Sequence, residues 1–149
     1  MNRREFLHNT IVGLCVGVVG CSVSNFIVPN QPSGEIVSQE VFLKRVRDDL
    51  EAMIRYHAAF EPNDRATRKK VDDVCRPYLK GLAKAYPRNL SGFLFRCNCI
   101  NNTPEIIDKQ QLKVWVLLMV PMTKDPYPVR GVNWIITLDS NQEVRFEEH

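Results

Sequence analysis

The stretch that decides the fold is Leu112–Val120, LKVWVLLMV, whose only charged residue is Lys113. A short apolar run rich in β-branched residues predicts a central β-strand rather than a helix. Successive side chains of a strand point to opposite faces. One face therefore carries Leu112, Val114, Val116, Leu118 and Val120, and the other carries Trp115, Leu117 and Met119.

The segments around this strand alternate in the same way. Residues 93–100 and 132–138 each alternate apolar positions with other residues, which predicts a strand on either side of the central one in sequence. Asp139-Ser140-Asn141 predicts a turn into a final strand. That last strand places Val144 and Phe146 inward and Glu143, Arg145 and Glu147 outward.

Before the strands, the apolar residues recur with a helical period. Ser38 is a candidate N-cap for a helix that ends near Phe60, and Asp64 is a candidate N-cap for a second helix. The apolar stripes are Phe42, Val46, Leu50, Met53, Ile54 and His57 in the first helix, and Val71, Val74, Cys75, Tyr78 and Leu82 in the second. Pro77 predicts a kink or a division into two short helices, and Pro87 predicts the end of the second helix.

Together these patterns predict an α+β domain, with two N-terminal helices packed on one face of a roughly four-stranded antiparallel sheet. The chain has 149 residues, which suits one domain, and we place that domain at 38–149 after a flexible tether at 22–37. Hydrophobic residues make up 44% of the chain and charged residues 25%, which excludes a disordered protein. The net charge of +3 is too small to indicate a nucleic-acid partner.

Residues 1–21 have the composition of an export signal. The basic start is followed by the uncharged run Ile11–Cys21, which is shorter than the roughly 20 residues of a membrane-spanning helix. Residues 2–8, NRREFLH, resemble the bacterial twin-arginine export motif, matching it at Arg3, Arg4, Phe6 and Leu7 and departing from its usual residues at Asn2 and His8. This resemblance implies recognition by the export machinery and delivery to the periplasmic side of a bacterial membrane.

A second motif overlaps the end of this signal. Val18-Val19-Gly20-Cys21 resembles a bacterial lipobox, which implies that Cys21 is acylated and anchors the mature N-terminus in the membrane. Two alternatives remain open at this point: ordinary cleavage, or an uncleaved N-terminal membrane anchor. The resemblance covers only the first 22 residues and implies nothing about the folded domain.

Three cysteines and one histidine are the candidates for chemistry within the domain. On a strand, Cys97 and Cys99 would point the same way and could meet Cys75 from the second helix. They could form a disulfide, a metal or redox site, or buried core thiols. The missing Cys-x-x-Cys spacing favours core thiols or a structural bridge, and we predict no cofactor. We expect His57 to pack at the core margin rather than act as a general base.

A basic cluster opens the second helix. It comprises Arg65, Arg68, Lys69 and Lys70, extended along the helix by Arg76, Lys80 and Lys84. Such a cluster either contacts an anionic lipid or polymer, or forms a solvated face balanced by nearby acids. The solvated face is favoured because Asp64, Asp72 and Asp73 are close in sequence.

The last candidate is the sheet face that two helices leave uncovered. It carries Trp115, Leu117 and Met119, with Ile135 beside them and Tyr127 in the loop 123–131. This face predicts an apolar pocket or an interface with a protein or a second copy of the chain, unless the loops 101–111 and 123–131 fold over it. We expect a non-enzymatic domain that binds a partner or apolar ligand through this face. The alternatives are a small periplasmic enzyme or metal or redox protein using the three thiols, and a dimerising module without ligand.

Overall fold

The helices come first in the chain and the strands follow. A computed structural model describes residues 38–122 and 128–149, which belong to one compact unit, Ile36–His149. The elements are α1 (Gln39–Ala58), α2 (Arg65–Ala85), β1 (Gly92–Arg96), α3 (Pro104–Asp108), β2 (Leu112–Pro121), β3 (Val129–Leu138) and β4 (Val144–Glu148). None of the helices within these ranges has both the length and the apolarity to cross a bilayer.

The two long helices begin at the predicted caps. The Ser38 hydroxyl accepts a hydrogen bond from the Val41 N–H, and the Asp64 carboxylate accepts one from the Thr67 N–H at 2.8 Å. These bonds satisfy donors that the first turn of a helix leaves without partners. The predicted stripes face the sheet, since Leu50, Ile54 and Cys75 are fully buried.

The predicted division into two short helices at Pro77 is wrong, because α2 continues as one helix from Arg65 to Ala85. Proline removes the hydrogen bond to the carbonyl four residues earlier, which here belongs to Asp73. Both Asp73 and Pro77 lie on the exposed side of the helix, where water can satisfy that carbonyl. The buried side of α2 therefore keeps its continuous stripe.

The four strands form an antiparallel sheet in the order β1-β2-β3-β4. The register pairs Arg96 with Trp115 between β1 and β2, and Trp115 with Ile135 between β2 and β3. The inner face of β2 and β3 packs with α1 and α2 into the core, in which Leu50, Leu79, Leu118 and Ile136 are completely buried. This arrangement is the predicted α+β fold.

Strand β1 is shorter than predicted, since it ends at Arg96 instead of continuing to Ile100. Asparagine side chains bond the backbone of the following turn: the Asn98 side chain accepts from the Ile100 N–H, and the Asn101 side chain accepts from the Asn98 N–H. Such local bonds compete with strand pairing. Residues 97–100 therefore form a turn and not a strand, although their apolar residues alternate.

Asn102 fills the gap that this early end leaves beside β2. The pairing of β1 with β2 stops at Arg96 and Trp115. The backbone of Lys113 therefore has no strand partner on the side of β1. The buried Asn102 amide donates to the Lys113 carbonyl and accepts from the Lys113 N–H, both at 2.8 Å. It also donates to the Asn98 carbonyl and accepts from the Asn63 amide. This side chain thus joins the start of α2 to the turn and the sheet.

Candidate functional site

The face of the sheet opposite the helices carries an apolar band. Trp115, Leu117 and Met119 of β2 and Ile135 of β3 are half-buried there, as the alternation predicts, and none of them belongs to the hydrophobic core. Leu94 of β1 pairs with Leu117 and is 44% exposed. We call these five residues and their surroundings the outer face. The two long helices α1 and α2 pack on the inner face, and the short helix α3 also contacts β2.

Trp115 lies on the outer face next to Arg96 and is held by two neighbours. Its indole N–H donates a hydrogen bond to the Asn133 side-chain oxygen. The Arg96 guanidinium lies over the ring, 5.1 Å from its centroid, as a cation–π contact. A buried indole usually requires a partner for its N–H, and here that partner is on the adjacent strand. The ring is therefore fixed in orientation without contributing to the core.

Two glycines make room for the apolar side chains at one end of the outer face. Gly92 and Gly131 are paired with Met119 from either side. A Cβ atom at Gly92 would lie 3.3 Å from the Met119 sulfur, and one at Gly131 would lie 3.3 Å from a Leu117 methyl group. Both side chains occupy the space that a larger residue would need. The glycines thus let Leu117 and Met119 lie flat across the neighbouring strands.

Charged residues border the apolar band at its other end. Arg96 and Lys113 have no carboxylate within 4 Å among the described residues. Arg145 of β4 pairs with Asp139 at 3.0 Å, and Glu147 lies beside it on the same strand. An apolar centre with a charged border is the usual composition of a protein interface.

Two of the three thiols of the domain lie together in the core, and the third is exposed. Cys75 and Cys97 are buried, whereas Cys99 is exposed in the turn after β1, so the prediction that Cys97 and Cys99 share a strand face is wrong. Burial, with Cys97 and Asp72 nearby, raises the pKa of Cys75, and burial raises the pKa of Cys97 to about 12. Both thiols are therefore protonated near neutral pH, and a protonated thiol is a poor nucleophile and ligand.

All three cysteines are free thiols in the structure. Across the described ranges, no group of three or more histidine, cysteine, aspartate or glutamate side chains is arranged to hold a metal ion. The structure thus brings Cys75 and Cys97 together in the core and places Cys99 apart from them.

His57 lies at the edge of the core near the end of α1. Its ring packs edge-on against Tyr56, with 4.9 Å between the ring centroids. Partial burial and the charge of Lys70 lower the pKa of the imidazole. No carboxylate within residues 38–122 and 128–149 pairs with this ring. The arrangement favours a neutral histidine at the core margin.

The basic cluster of α2 is only partly balanced by the acids near it in sequence. Lys69 pairs with Asp73, and Arg76 pairs with Asp72 at 2.6 Å. The third acid, Asp64, is used as the helix cap. The structure thus leaves part of the cluster, including Arg65, without a carboxylate neighbour among the described residues.

Several residues of the outer face and its support were not singled out from sequence. Leu94 and Arg96 alternate with the core residue Phe95, and that alternation already implied that they lie on the opposite face of the strand. Their pairing with Leu117 and Trp115 depends on the strand register. Asn102 had only a weak signal, the grouping of asparagines at 98, 101 and 102. Its bonds to Asn63 and Lys113 depend on the tertiary fold.

The remaining predicted residues, Arg3, Arg4, Phe6, Leu7, Cys21 and Tyr127, lie outside the described residues. Comparison of the chain with protein-family models, with curated proteins and with solved structures finds no match.

Proposed function

We propose that this chain is an exported, membrane-anchored, non-enzymatic domain that docks a protein partner on its outer face. The observation that carries the proposal is the half-buried apolar band of β2 and β3, which the two long helices leave open. Exposed apolar surface costs free energy in water at roughly 25 cal/mol per Å². A partner that covers Trp115, Leu94 and Met119 removes that cost.

The charged residues at the border of the band indicate what kind of partner surface would complement it. Arg96 and Lys113 lack carboxylate neighbours among the described residues, so an apolar surface with an acidic border would complement them. We therefore propose a different protein as the occupant, and a homodimer or a bound apolar ligand is an alternative outcome of the test.

Site-specific photo-crosslinking in the producing cells tests this assignment. A photoreactive phenylalanine analogue at Leu94 should give one discrete crosslinked product, because this side chain is exposed at the border of the outer face. The matched control is the analogue at Tyr56, which is 70% exposed on α1. The product formed from position 94 should disappear when Trp115 is also changed to Ala.

The outcomes separate the occupants. A product of twice the chain mass, together with a dimer in solution, would replace the partner by a second copy. An absence of crosslinks, with saturable binding of an apolar dye that Leu94→Asp abolishes, would indicate an apolar ligand instead. Identical products from positions 94 and 56, or no binding of either kind, would refute a binding role for the outer face.

Export and anchoring rest on residues 2–8 and on Val18-Val19-Gly20-Cys21. Replacing Arg3 and Arg4 together by Lys should retain the chain in the cytoplasm, because the twin-arginine motif requires both guanidinium groups. The intact mass of the wild-type chain should show cleavage before Cys21 and added acyl groups. Cys21→Ser should remove the acyl mass, and an unchanged mass would refute lipidation.

A further inference from the structure

A cationic groove runs along the free edge of the sheet. It lies between the first half of α2 and strand β1 with the turn that follows it, and its volume is about 820 Å³. Strand β1 is the edge strand, and the Arg76 guanidinium donates a hydrogen bond to the Phe95 carbonyl there at 3.0 Å. Two separate segments of the chain therefore build the groove walls.

The cations of the groove exceed its carboxylates. It is lined by Arg65, Arg68, Lys69, Arg76 and Arg96, with Asp72 as the one acidic residue among its lining residues. Arg76 pairs with Asp72, and Lys69 pairs with Asp73. No carboxylate of the described residues lies within 4 Å of Arg65, Arg68 or Arg96. Three guanidinium groups thus line the groove without forming an ion pair, although Arg68 also interacts electrostatically with Asp64.

Two of these three arginines are held in place by neutral contacts. One terminal nitrogen of Arg68 donates to the Asn63 carbonyl and to the Asn63 side-chain oxygen, at 3.0 and 2.8 Å. Arg96 is held over the Trp115 ring. Neither contact neutralises the charge, and each leaves further N–H groups of the guanidinium to bind a ligand.

These cations do not help α2 to form. Arg65 and Arg68 belong to the first turn, which contains no acidic residue, and positive charge at a helix N-terminus is unfavourable. The charges therefore act against folding and in favour of an anionic ligand.

We propose that this groove binds a phosphate group carried by a small organic phosphate or by a phospholipid headgroup. Guanidinium groups match phosphate oxygens in paired hydrogen bonds, and several of them together suit its charge. The exposed side chain of Leu94 supplies apolar surface on which the organic part of the ligand can pack. The groove shares Leu94 and Arg96 with the outer face, but Arg65 and Arg68 lie on α2, so variants at these two positions test the groove separately from the proposed function.

Calorimetric titration of the full chain in nonionic detergent with inorganic pyrophosphate tests the site. Wild type should bind saturably, and Arg65→Ala and Arg68→Ala should each weaken binding about tenfold, the effect of losing about 1.4 kcal/mol from a charge-assisted bond. Arg88→Ala is the matched control, since it removes an exposed arginine outside the groove and should leave binding unchanged. Circular dichroism establishes that each variant is folded.

Cys99 supplies a second readout that needs no arginine variant, because this exposed thiol lines the groove. Its alkylation by iodoacetamide is followed by peptide mass spectrometry in chain reconstituted into phosphatidylcholine or phosphatidylglycerol vesicles. Slower alkylation in phosphatidylglycerol identifies a headgroup as the source of phosphate. Slower alkylation only after adding pyrophosphate to phosphatidylcholine vesicles identifies a soluble phosphate.

Three results would overturn the proposal. The first is an absence of both saturable pyrophosphate binding and Cys99 protection in wild type. The second is undiminished binding by Arg65→Ala and Arg68→Ala. The third is an equal loss of pyrophosphate binding in Arg88→Ala, which would show that binding depends only on the overall charge of the chain. None of these results bears on the outer face, so the two proposals fail separately.

Discussion

Asn102→Ala should destabilise the domain more than any other single asparagine change among the described residues. The side chain is 2% exposed and makes four hydrogen bonds, two to Lys113, one to the Asn98 carbonyl and one from the Asn63 amide. A hydrogen bond in a folded protein contributes about 1 kcal/mol net, so the loss should be about 2–4 kcal/mol. For a domain of this size that corresponds to a fall in Tm of roughly 8–16 °C.

Urea and thermal unfolding followed by tryptophan fluorescence measure this loss, because both tryptophans, Trp115 and Trp134, belong to the sheet. Asn141→Ala is the control, since that side chain is exposed and makes no hydrogen bond to the described residues. Its free energy of unfolding should stay within about 0.5 kcal/mol of wild type. A wild-type-like stability of Asn102→Ala would refute the role assigned to the amide.

Asn102→Asp separates hydrogen bonding from packing. The substitution keeps the size but places an oxygen against the carbonyls of Asn98 and Lys113, where the amide donated. Burial next to two carbonyls should raise the folded pKa of this carboxyl above its unfolded value of about 3.9. The protonated form therefore favours folding, and the stability of the variant relative to wild type should be highest below pH 4 and fall as the pH rises through the folded pKa. A variant as stable as wild type at pH 7 would contradict the account.

Three further changes test other parts of the fold. Pro77→Ala should raise the free energy of unfolding, measured in urea, by about 1–2 kcal/mol, because it restores a helical hydrogen bond. Part of this gain is offset because the unfolded chain without proline has more conformational freedom. An unchanged stability would show that the helix accommodates the proline ring at no cost. Tyr78→Phe should cost about 1 kcal/mol in the same assay, because it removes the bond from the Tyr78 hydroxyl to the Asp49 carboxylate that joins the two long helices. The lowered pKa of His57 means that the folded state binds fewer protons than the unfolded state, so wild-type stability should decrease as the pH falls below about 6.5. His57→Gln should flatten that decrease, and an identical pH profile would exclude His57 as its source.

The element types and the two sheet faces could be predicted because the patterns behind them are local. Period two around Trp115 and period three to four around Leu50 each depend on residues within one element. The same patterns placed Trp115, Leu117, Met119 and Ile135 on the open side of the sheet. Periodicity failed at residues 97–100, where asparagine side chains replace the strand partner that the alternation assumes.

The groove and the amide network were beyond such patterns. Arg96 lines the same groove as Arg65 and Arg68 only because β1 is the edge strand beside α2. Asn63 and Asn102 are 39 residues apart in the chain and bond directly in the fold. No local period relates such positions, so their chemistry can be found only from their contacts.

By itself the amino-acid sequence determined the order of helices and strands, the α+β class and the residues facing the core, because burial of an apolar face imposes a period on the chain. Only the tertiary structure decided where β1 ends, that Cys99 lies apart from Cys75 and Cys97, and which arginines lack a carboxylate partner among the described residues. Those features arise from hydrogen bonds and charges between distant segments, whose energies depend on distance in space and not on separation along the chain.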